Sequence, residues 1–295
     1  MKITITGATG LIGGGLRRHL AACGHELRCL SRNPPAQPGW FTWDPNSGMP
    51  PRESLEGSDA VIHLAGEPVA QRWSREVKRR IRSSREQGTQ ALVAALAAMP
   101  RPPGVLVSAS AIGYYGDRAD ELLSEKASPG SGFLSEVCVE WERSARLASA
   151  LGIRVVCLRL GMVLHPRGGA LATMLPIVRL GLGGPLAGGQ SWLSWIHRED
   201  LMRLFTWALE TQTVQGPVNA VSPGAVRNAE FMRVLGATLH RPAVIPVPAL
   251  ALRLMYGEMA TDILGSQNFL PEVATQAGFR FSWPELAPAL GNLLS

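Results

Sequence analysis

The apolar positions of the first thirty residues change period twice. Lys2 to Thr6 reads as a short β-rich run, Ile12, Leu16 and Leu20 recur four apart as a helical stripe across 10–23, and Glu26 to Ser31 returns to a strand-like run. This predicts a β-α-β unit. The apolar runs DAVIHLAG at 59–66 and GVLVSAS at 104–110 predict two more buried strands, each ending in small residues. Between 132 and 142, in GFLSEVCVEWE, Phe133, Val137 and Trp141 recur at four-residue spacing, as do Leu134 and Cys138, the pattern of a helix face laid on a sheet. Strand and helix patterns alternate to about Arg159, which predicts an α/β fold: a doubly wound parallel sheet covered on both faces. Beyond it come Gly- and Pro-rich loops at 181–189, a helix from about Glu199, a strand near Val218 to Val221, a helix from about Asn228 and the Pro-flanked segment 244–255. These read as a smaller lobe, so the chain divides at about residue 165 into 1–165 and 166–295.

The first strand hands over to the first helix through Thr6-Gly7-Ala8-Thr9-Gly10-Leu11-Ile12-Gly13. Each glycine has a physical task. Gly7 permits the tight turn, Gly10 lets backbone N–H groups approach a pyrophosphate, and Gly13 lets helix and strand pack closely, with the helix N-terminus facing the anion. Thr9, Leu11 and Ile12 belong to the same turn, and the whole reads as a dinucleotide cradle. An NAD site commonly carries an acidic residue about 20 positions beyond the glycines, for the ribose 2′-hydroxyl. Here the second strand ends Leu30-Ser31-Arg32-Asn33, without a carboxylate. A guanidinium fork and a hydroxyl suit a 2′-phosphate, so NADP is the expected cofactor.

Composition narrows the function classes. Of 295 residues, 46% are hydrophobic and 18% charged, an ordinary globular balance, and the apolar runs fall short of the roughly 18 residues a membrane span needs. The four cysteines lack CxxC spacing and read as buried thiols in a reducing compartment; a cytoplasmic location is expected. The six histidines are scattered, so no metal site is expected. The net charge of +6 is concentrated in Arg72, Arg75, Lys78, Arg79, Arg80, Arg82 and Arg85, which reads as a solvated helix face rather than a nucleic-acid surface, since no groove-reading or stacking residues accompany it. The expected partners are a small-molecule substrate and a second copy in a homodimer, with neither nucleic acid nor membrane.

The glycine turn and the strands at 59–66 and 104–110 together resemble the extended short-chain dehydrogenase/reductases. HLAGEPV, RRIRSSR, SASAIGYYGD, GFLSEVCVEWE, LRLGMVL, GLGGPLAGGQSWLSWIHREDL and AGFRFSWPEL narrow the resemblance to an atypical "epimerase family" group, sometimes labelled cell-division-inhibitor-like. The resemblance covers essentially the whole chain. It implies a Rossmann-like domain with a small C-terminal substrate lobe, some of whose strands rejoin the main sheet, and NADP as ligand. It also implies that Arg85 reaches a cofactor phosphate and that Leu64, Ala65, Gly66, Ser108 and Val163 line the dinucleotide cleft.

Working members of that superfamily use a Tyr-x-x-x-Lys pair, in which the lysine lowers the tyrosine pKa and the tyrosine moves a proton during hydride transfer. The tyrosines here are Tyr114, Tyr115 and Tyr256, the lysines Lys2, Lys78 and Lys126, and no pair is four apart. By the resemblance, Phe133 stands in the tyrosine's place and Val137 in the lysine's. Helix 133–142 therefore keeps its form and lacks the acid/base, with Cys138 a structural thiol and Glu136 and Glu142 solvated carboxylates. Substitute chemistry is expected from Ser110, where the superfamily keeps a substrate-polarising serine, or from Tyr114 and Tyr115 in a flexible loop beyond the strand end. Glu67, His197 and Asp200 are candidates for the substrate pocket, although Asp200 also suits a role holding backbone amides. Two function classes stay open: an NADP(H)-dependent oxidoreductase or epimerase-like enzyme on a small polar, sugar-nucleotide-like substrate, and a non-catalytic NADP(H)-binding regulator.

Overall fold

A computed structural model describes residues 1–295. The strands are β1 (Lys2–Thr6), β2 (Glu26–Ser31), β3 (Trp40–Thr42), β4 (Ala60–His63), β5 (Val105–Ala111), β6 (Arg154–Leu160), β7 (Met162–Leu164), β8 (Trp192–Leu193), β9 (Trp195–His197), β10 (Gly216–Ala220) and β11 (Val226–Arg227). The helices are α1 (Leu11–Ala22), α2 (Arg75–Ala97), α3 (Phe133–Arg146), α4 (Gly169–Arg179), α5 (Arg198–Glu210), α6 (Asn228–Thr238), α7 (Ala249–Tyr256), α8 (Ala260–Leu264), α9 (Glu272–Gln276) and α10 (Leu286–Leu294). The main sheet has seven strands in the order β10-β6-β5-β4-β1-β2-β3, and every pairing in it is parallel. This is the doubly wound α/β fold that the sequence predicts.

The central strands are apolar on both faces, as a sheet covered twice requires. Ala60 and Ile62 of β4, Val105 and Val107 of β5 and Val156 and Leu158 of β6 face a core shared with Leu16, Leu20, Leu204 and Phe205 of α1 and α5. Their alternates Val61, Leu106, Val155 and Cys157 face a second core built with Leu92, Leu96 and Ala145 of α2 and α3. The C-terminal lobe buries Trp195, Phe231, Leu235, Leu286 and Leu290 in a third. Strand β10 lies in the second half of the chain yet closes the edge of the main sheet beside β6. The helices and strands expected near 199, 218 and 228 are α5, β10 and α6.

Three local expectations differ from the structure. The Tyr114–Tyr115 segment is a turn of 3-10 helix over Ile112–Tyr115, not a loose loop, because Tyr115 is drawn completely inside. Phe133 is only half-buried, since it begins its helix and packs outward against Trp73, while Val137 and Trp141 carry the buried face. Cys23 is exposed at the end of α1, whereas Cys29, Cys138 and Cys157 are buried.

The switch point of the strand order falls between β1 and β4, where α1 leaves one side and α2 the other, and a crevice opens at the strand ends. The glycines set its shape. Gly7 has φ +68°, and a Cβ there would meet the Leu64 carbonyl at 2.9 Å; a Cβ on Gly13 would stand 2.3 Å from the Gly7 oxygen. At Gly10 the closest approach is 3.2 Å. Gly13→Ala is therefore expected to cost about 1–3 kcal/mol in urea unfolding, as overpacking does, and Gly10→Ala distinctly less. Equal losses at the two positions would contradict the helix-to-turn contact.

Candidate functional site

At the switch point a cleft of about 190 Å³ is lined by Gly7, Thr9, Gly10, Ser31, Arg32, Leu64, Ala65, Gly66 and Glu67. The sequence drew these residues from three separate stretches, and the fold brings them together because β1, β2 and β4 are neighbours ending at one level. Thr9 Oγ1 lies 2.8 Å from Ser31 Oγ, tying the glycine turn to the end of β2. Arg32 leans across the mouth, its Nη1 3.6 Å from Glu67 Oε2, and Arg80 Nε stands 3.5 Å from Glu67 Oε1. Glu67, expected in a substrate pocket, thus lines the glycine cleft, because the turn after β4 folds it back toward Arg32.

Arg85, expected at a cofactor phosphate, does not line the cleft but packs behind the turn at Gly66 and Glu67. Its guanidinium donates to the Glu67 carbonyl at 2.9 Å and rests 4.9 Å from the Trp141 ring, so close to Gly66 that a Cβ there would meet it at 3.2 Å. Of the basic run, Lys78, Arg79, Arg80 and Arg82 pair with Glu258, Glu76, Glu67 and Glu136, largely a salt-bridged outer face, while Arg85 turns inward. Sequence reasoning missed Trp43, Asp44, Pro45 and Asn46 on the cleft's far wall. They follow β3, a strand of three residues. The available signal was the Asp-Pro-Asn turn opposite Gly88, where a Cβ would lie 2.5 Å from Pro45.

The side chains of Leu11, Ile12 and Val163 line a different cavity, between α1 and α5. Ser108 and Ser110 are buried, each about 1% exposed. Ser110 neither caps a helix nor faces a cleft: its hydroxyl donates to Glu142 Oε1 at 2.8 Å. Glu142 corrects the solvated reading of helix 133–142, being 1% exposed and clasping Arg159 through bonds of 2.7 and 2.9 Å. Burial alone would pull the Arg159 pKa down, but the Glu142 carboxylate and Tyr115 hold it above its ordinary value. Arg159 also donates to the Tyr115 hydroxyl at 2.8 Å, and that hydroxyl donates to Asn219 Oδ1 at 2.7 Å.

Tyr115 is therefore no pocket acid: it is fully enclosed and burial pushes its phenol up to about 12. Tyr114 is half-buried, with the Arg159 guanidinium carbon 3.5 Å from its ring centroid, and is the candidate phenol nearer the surface. At the head of α3, Phe133 meets the Trp73 edge at 5.1 Å and the Lys78 ammonium at 4.7 Å. Burial pushes the Cys138 thiol up to about 12, which fits a structural role.

His197 and Asp200 also leave the pocket list, since both are completely buried. Asp200 accepts the backbone N–H groups of Ser282 and Trp283 at 2.8 Å each, and His197 Nδ1 accepts the Glu199 amide. They fasten the C-terminal segment onto α5. No group of three or more His, Cys, Asp or Glu side chains converges as a metal site would require, and no helix is long and apolar enough to cross a membrane.

Residues 3–220 match the profile described as the NAD dependent epimerase/dehydratase family, and residues 247–293 match a domain of unknown function, DUF1731. The "Epimerase family protein SDR39U1 homolog, chloroplastic" of Arabidopsis thaliana is 40% identical over 302 residues, 100% of this chain and 87% of the relative. The crystal structure of human epimerase family protein SDR39U1 (isoform 2) with NADPH superposes with TM-score 0.90 at 36% identity, covering 99% of both chains. A structure described as the nucleoside-diphosphate sugar epimerase of Corynebacterium glutamicum superposes at TM-score 0.82 and 35% identity, covering all of this chain and 58% of that one.

Two outcomes test this geometry. Glu142→Gln leaves Arg159 buried without a counter-charge and is expected to cost about 3–5 kcal/mol in denaturant unfolding, far more than a solvated carboxylate would. His63 is the second probe: its ring nitrogens bond Thr6 and Thr89, and burial pulls its pKa from 6.5 to about 3. The folded state therefore refuses a proton that the unfolded chain accepts. Stability should be unaffected by this group above about pH 6.5 and fall progressively as pH drops from there toward 3. His63→Gln should flatten that slope in unfolding measured against pH; an unchanged slope would rule out the neutral buried imidazole.

Proposed function

This chain belongs to the NAD dependent epimerase/dehydratase family, among the SDR39U1-like epimerase-family proteins, and on that premise we propose that it is an NADP(H)-dependent oxidoreductase or epimerase-like enzyme acting on a small polar substrate. One observation carries the cofactor assignment: Thr9, Ser31 and Arg32 stand together at the mouth of the glycine cleft, with no carboxylate at the end of β2. NADPH is also the nucleotide named with the human relative's structure.

The cleft fits such a group, because Gly7 and Gly10 line it without side chains, beside Thr9, Ser31 and Arg32. When bound, NADP(H) supplies hydride transfer. The chain's own contributions are separable. The first-turn amides of α1 present unpaired N–H groups to an anion, and Arg32 and Ser31 hold a phosphate at the far end. Arg85 fixes the turn between them through the Glu67 carbonyl. Tyr114 is the side chain assigned proton movement, with Ser110 and Tyr115 supporting it through Arg159.

A specific observation favours a second reading, a non-catalytic NADP(H)-binding protein. By the family resemblance Phe133 and Val137 stand in the acid/base positions, and the buried polar groups Ser110, Glu142, Arg159, Tyr115 and Asn219 satisfy one another.

Calorimetry is expected to give NADPH at least about tenfold tighter binding than NADH, the worth of one charge-assisted bond, and Arg32→Asp should erase the preference. Equal affinities would sink the cofactor assignment. Turnover of NADPH against a carbonyl and sugar-nucleotide library separates the two readings: Tyr114→Phe is expected to lower a detected rate by about 10² or more. Undiminished activity in that variant would move the proton elsewhere, and tight NADPH binding without any turnover would favour the non-catalytic reading.

A further inference from the structure

A groove of about 510 Å³, larger than the glycine cleft, lies between α1 and α5, roofed by the segment that follows β7. The two helices run side by side in the same direction: the Cβ position of Gly15 lies 3.4 Å from Met202, and His19 Nε2 is 3.2 Å from Thr206 Oγ1. Gly15 is what lets α5 come so near. Its floor is apolar, made by Leu11, Ile12, Val163 and Met202.

The walls carry the opposite character. Arg18, His19, His165, Arg198 and Arg203 line the groove, against a single carboxylate, Glu199. Two of the charged groups are already engaged: Arg203 with Asp200 at 2.8 Å and Glu199 with the Trp283 indole at 3.2 Å. Arg18 and Arg198 have no carboxylate partner and are free to meet a ligand. They act on one place, for burial and then the guanidiniums of Arg198, Arg167 and Arg18 hold the His165 pKa below its ordinary value. Unneutralised positive charge from α1 and α5 therefore converges on one imidazole over an apolar floor.

We propose that the α1/α5 groove is a second ligand site, distinct from the glycine cleft, that takes an organic monophosphate with an apolar body. Arg18 and Arg198 are the phosphate-holding groups, and two guanidinium forks on separate elements match a dianion better than the lone charge of a carboxylate. The volume selects an organic body over a bare ion, since it lies in the range of small-molecule pockets, about 300–1,000 Å³. The floor selects an apolar one.

The test is calorimetric titration of phenyl phosphate, with inorganic phosphate as comparison, into protein with and without saturating NADPH. Phenyl phosphate should bind in both states and more tightly than inorganic phosphate. Arg18→Ala and Arg198→Ala should each weaken it at least about tenfold, the loss of one charge-assisted contact. Arg32→Ala, titrated without nucleotide, should leave it unchanged. Arg18 is exposed, so its variant reads the site without threatening the fold. Competition with NADPH, or a loss in Arg32→Ala, would assign the anion to the glycine cleft and overturn the proposal. So would unchanged affinity in both α1 and α5 variants, no binding of phenyl phosphate, or equal affinity for inorganic phosphate. Because the titration without nucleotide stands alone, its result is independent of whether this chain prefers NADPH.

Discussion

A guanidinium that is 2% exposed near the end of β6, one strand in from the sheet edge, governs much of this molecule. An unpaired charge there would cost several kcal/mol, so Arg159 can exist on β6 only if the surroundings neutralise it. They do so from scattered parts of the chain. Glu142 comes from α3, Ser110 from β5 and Tyr115 from the turn after it; Tyr115 in turn engages Asn219 on β10. Asn219 then donates to the Leu270 carbonyl, and Glu125 accepts the amides of Asn219 and Val273. One buried cation thus joins β5 and β6 to the late edge strand and to the segment before α9. A cut near residue 165 describes the order of the chain better than its mechanics.

The same network decides which chemistry the strand ends can still offer. A serine at the end of β5 and a phenol just beyond it would be usable acid/base groups if their hydroxyls were free. Here the Ser110 proton is committed to Glu142 and the Tyr115 proton to Asn219, and moving either would strand a buried partner. Tyr114 also has its ring on Arg159, but its backbone carbonyl, not its phenol, is in the hydrogen-bond lattice, accepting from Ser135 and Gly130. The glycine cleft is built the other way round, from backbone amides at the start of a helix and side chains at its rim. Its capacity to bind an anion comes from what the turn leaves unpaired, so it survives changes on α3 that remove a proton donor.

That contrast also explains how much could be read from the sequence. The glycine turn was legible because its requirements are local: Gly7, Gly10 and Gly13 each answer a steric demand within one turn, and Ser31 and Arg32 follow at the end of the next strand. The buried network was illegible because its members are far apart in sequence and individually look solvated. Glu142 stands between Trp141 and Arg143 on a helix rich in charge. Two signals were present. Arg159 is the one charge inside the run VVCLRL, which demands a partner, and Glu142 falls in helical register with Cys138 and Ala145, both buried. His197 and Asp200 failed for a related reason, since a buried carboxylate accepting two backbone amides has the same spelling as one that lines a pocket. The wall at Trp43 to Asn46 had no periodicity to show, resting on a strand of three residues.

The rim of the cleft is organised by one shared carboxylate. Arg32 faces Glu67, and Glu67 faces Arg80 as well, so one carboxylate is shared by two cations. The sharing matters for binding. If Glu67 had Arg32 as sole partner, drawing the guanidinium toward a phosphate would leave a carboxylate of 13% exposure without a counter-charge, and the affinity would be reduced by that penalty. With Arg80 at 3.5 Å the carboxylate would keep a counter-charge if Arg32 turned toward an anion. Arg32 is itself 55% exposed, so it exchanges partners through water rather than across a dry interior. The arrangement keeps the cation oriented toward the crevice at little energetic cost, while Arg85, fixed beneath Gly66 by the Glu67 carbonyl, holds the turn on which both depend.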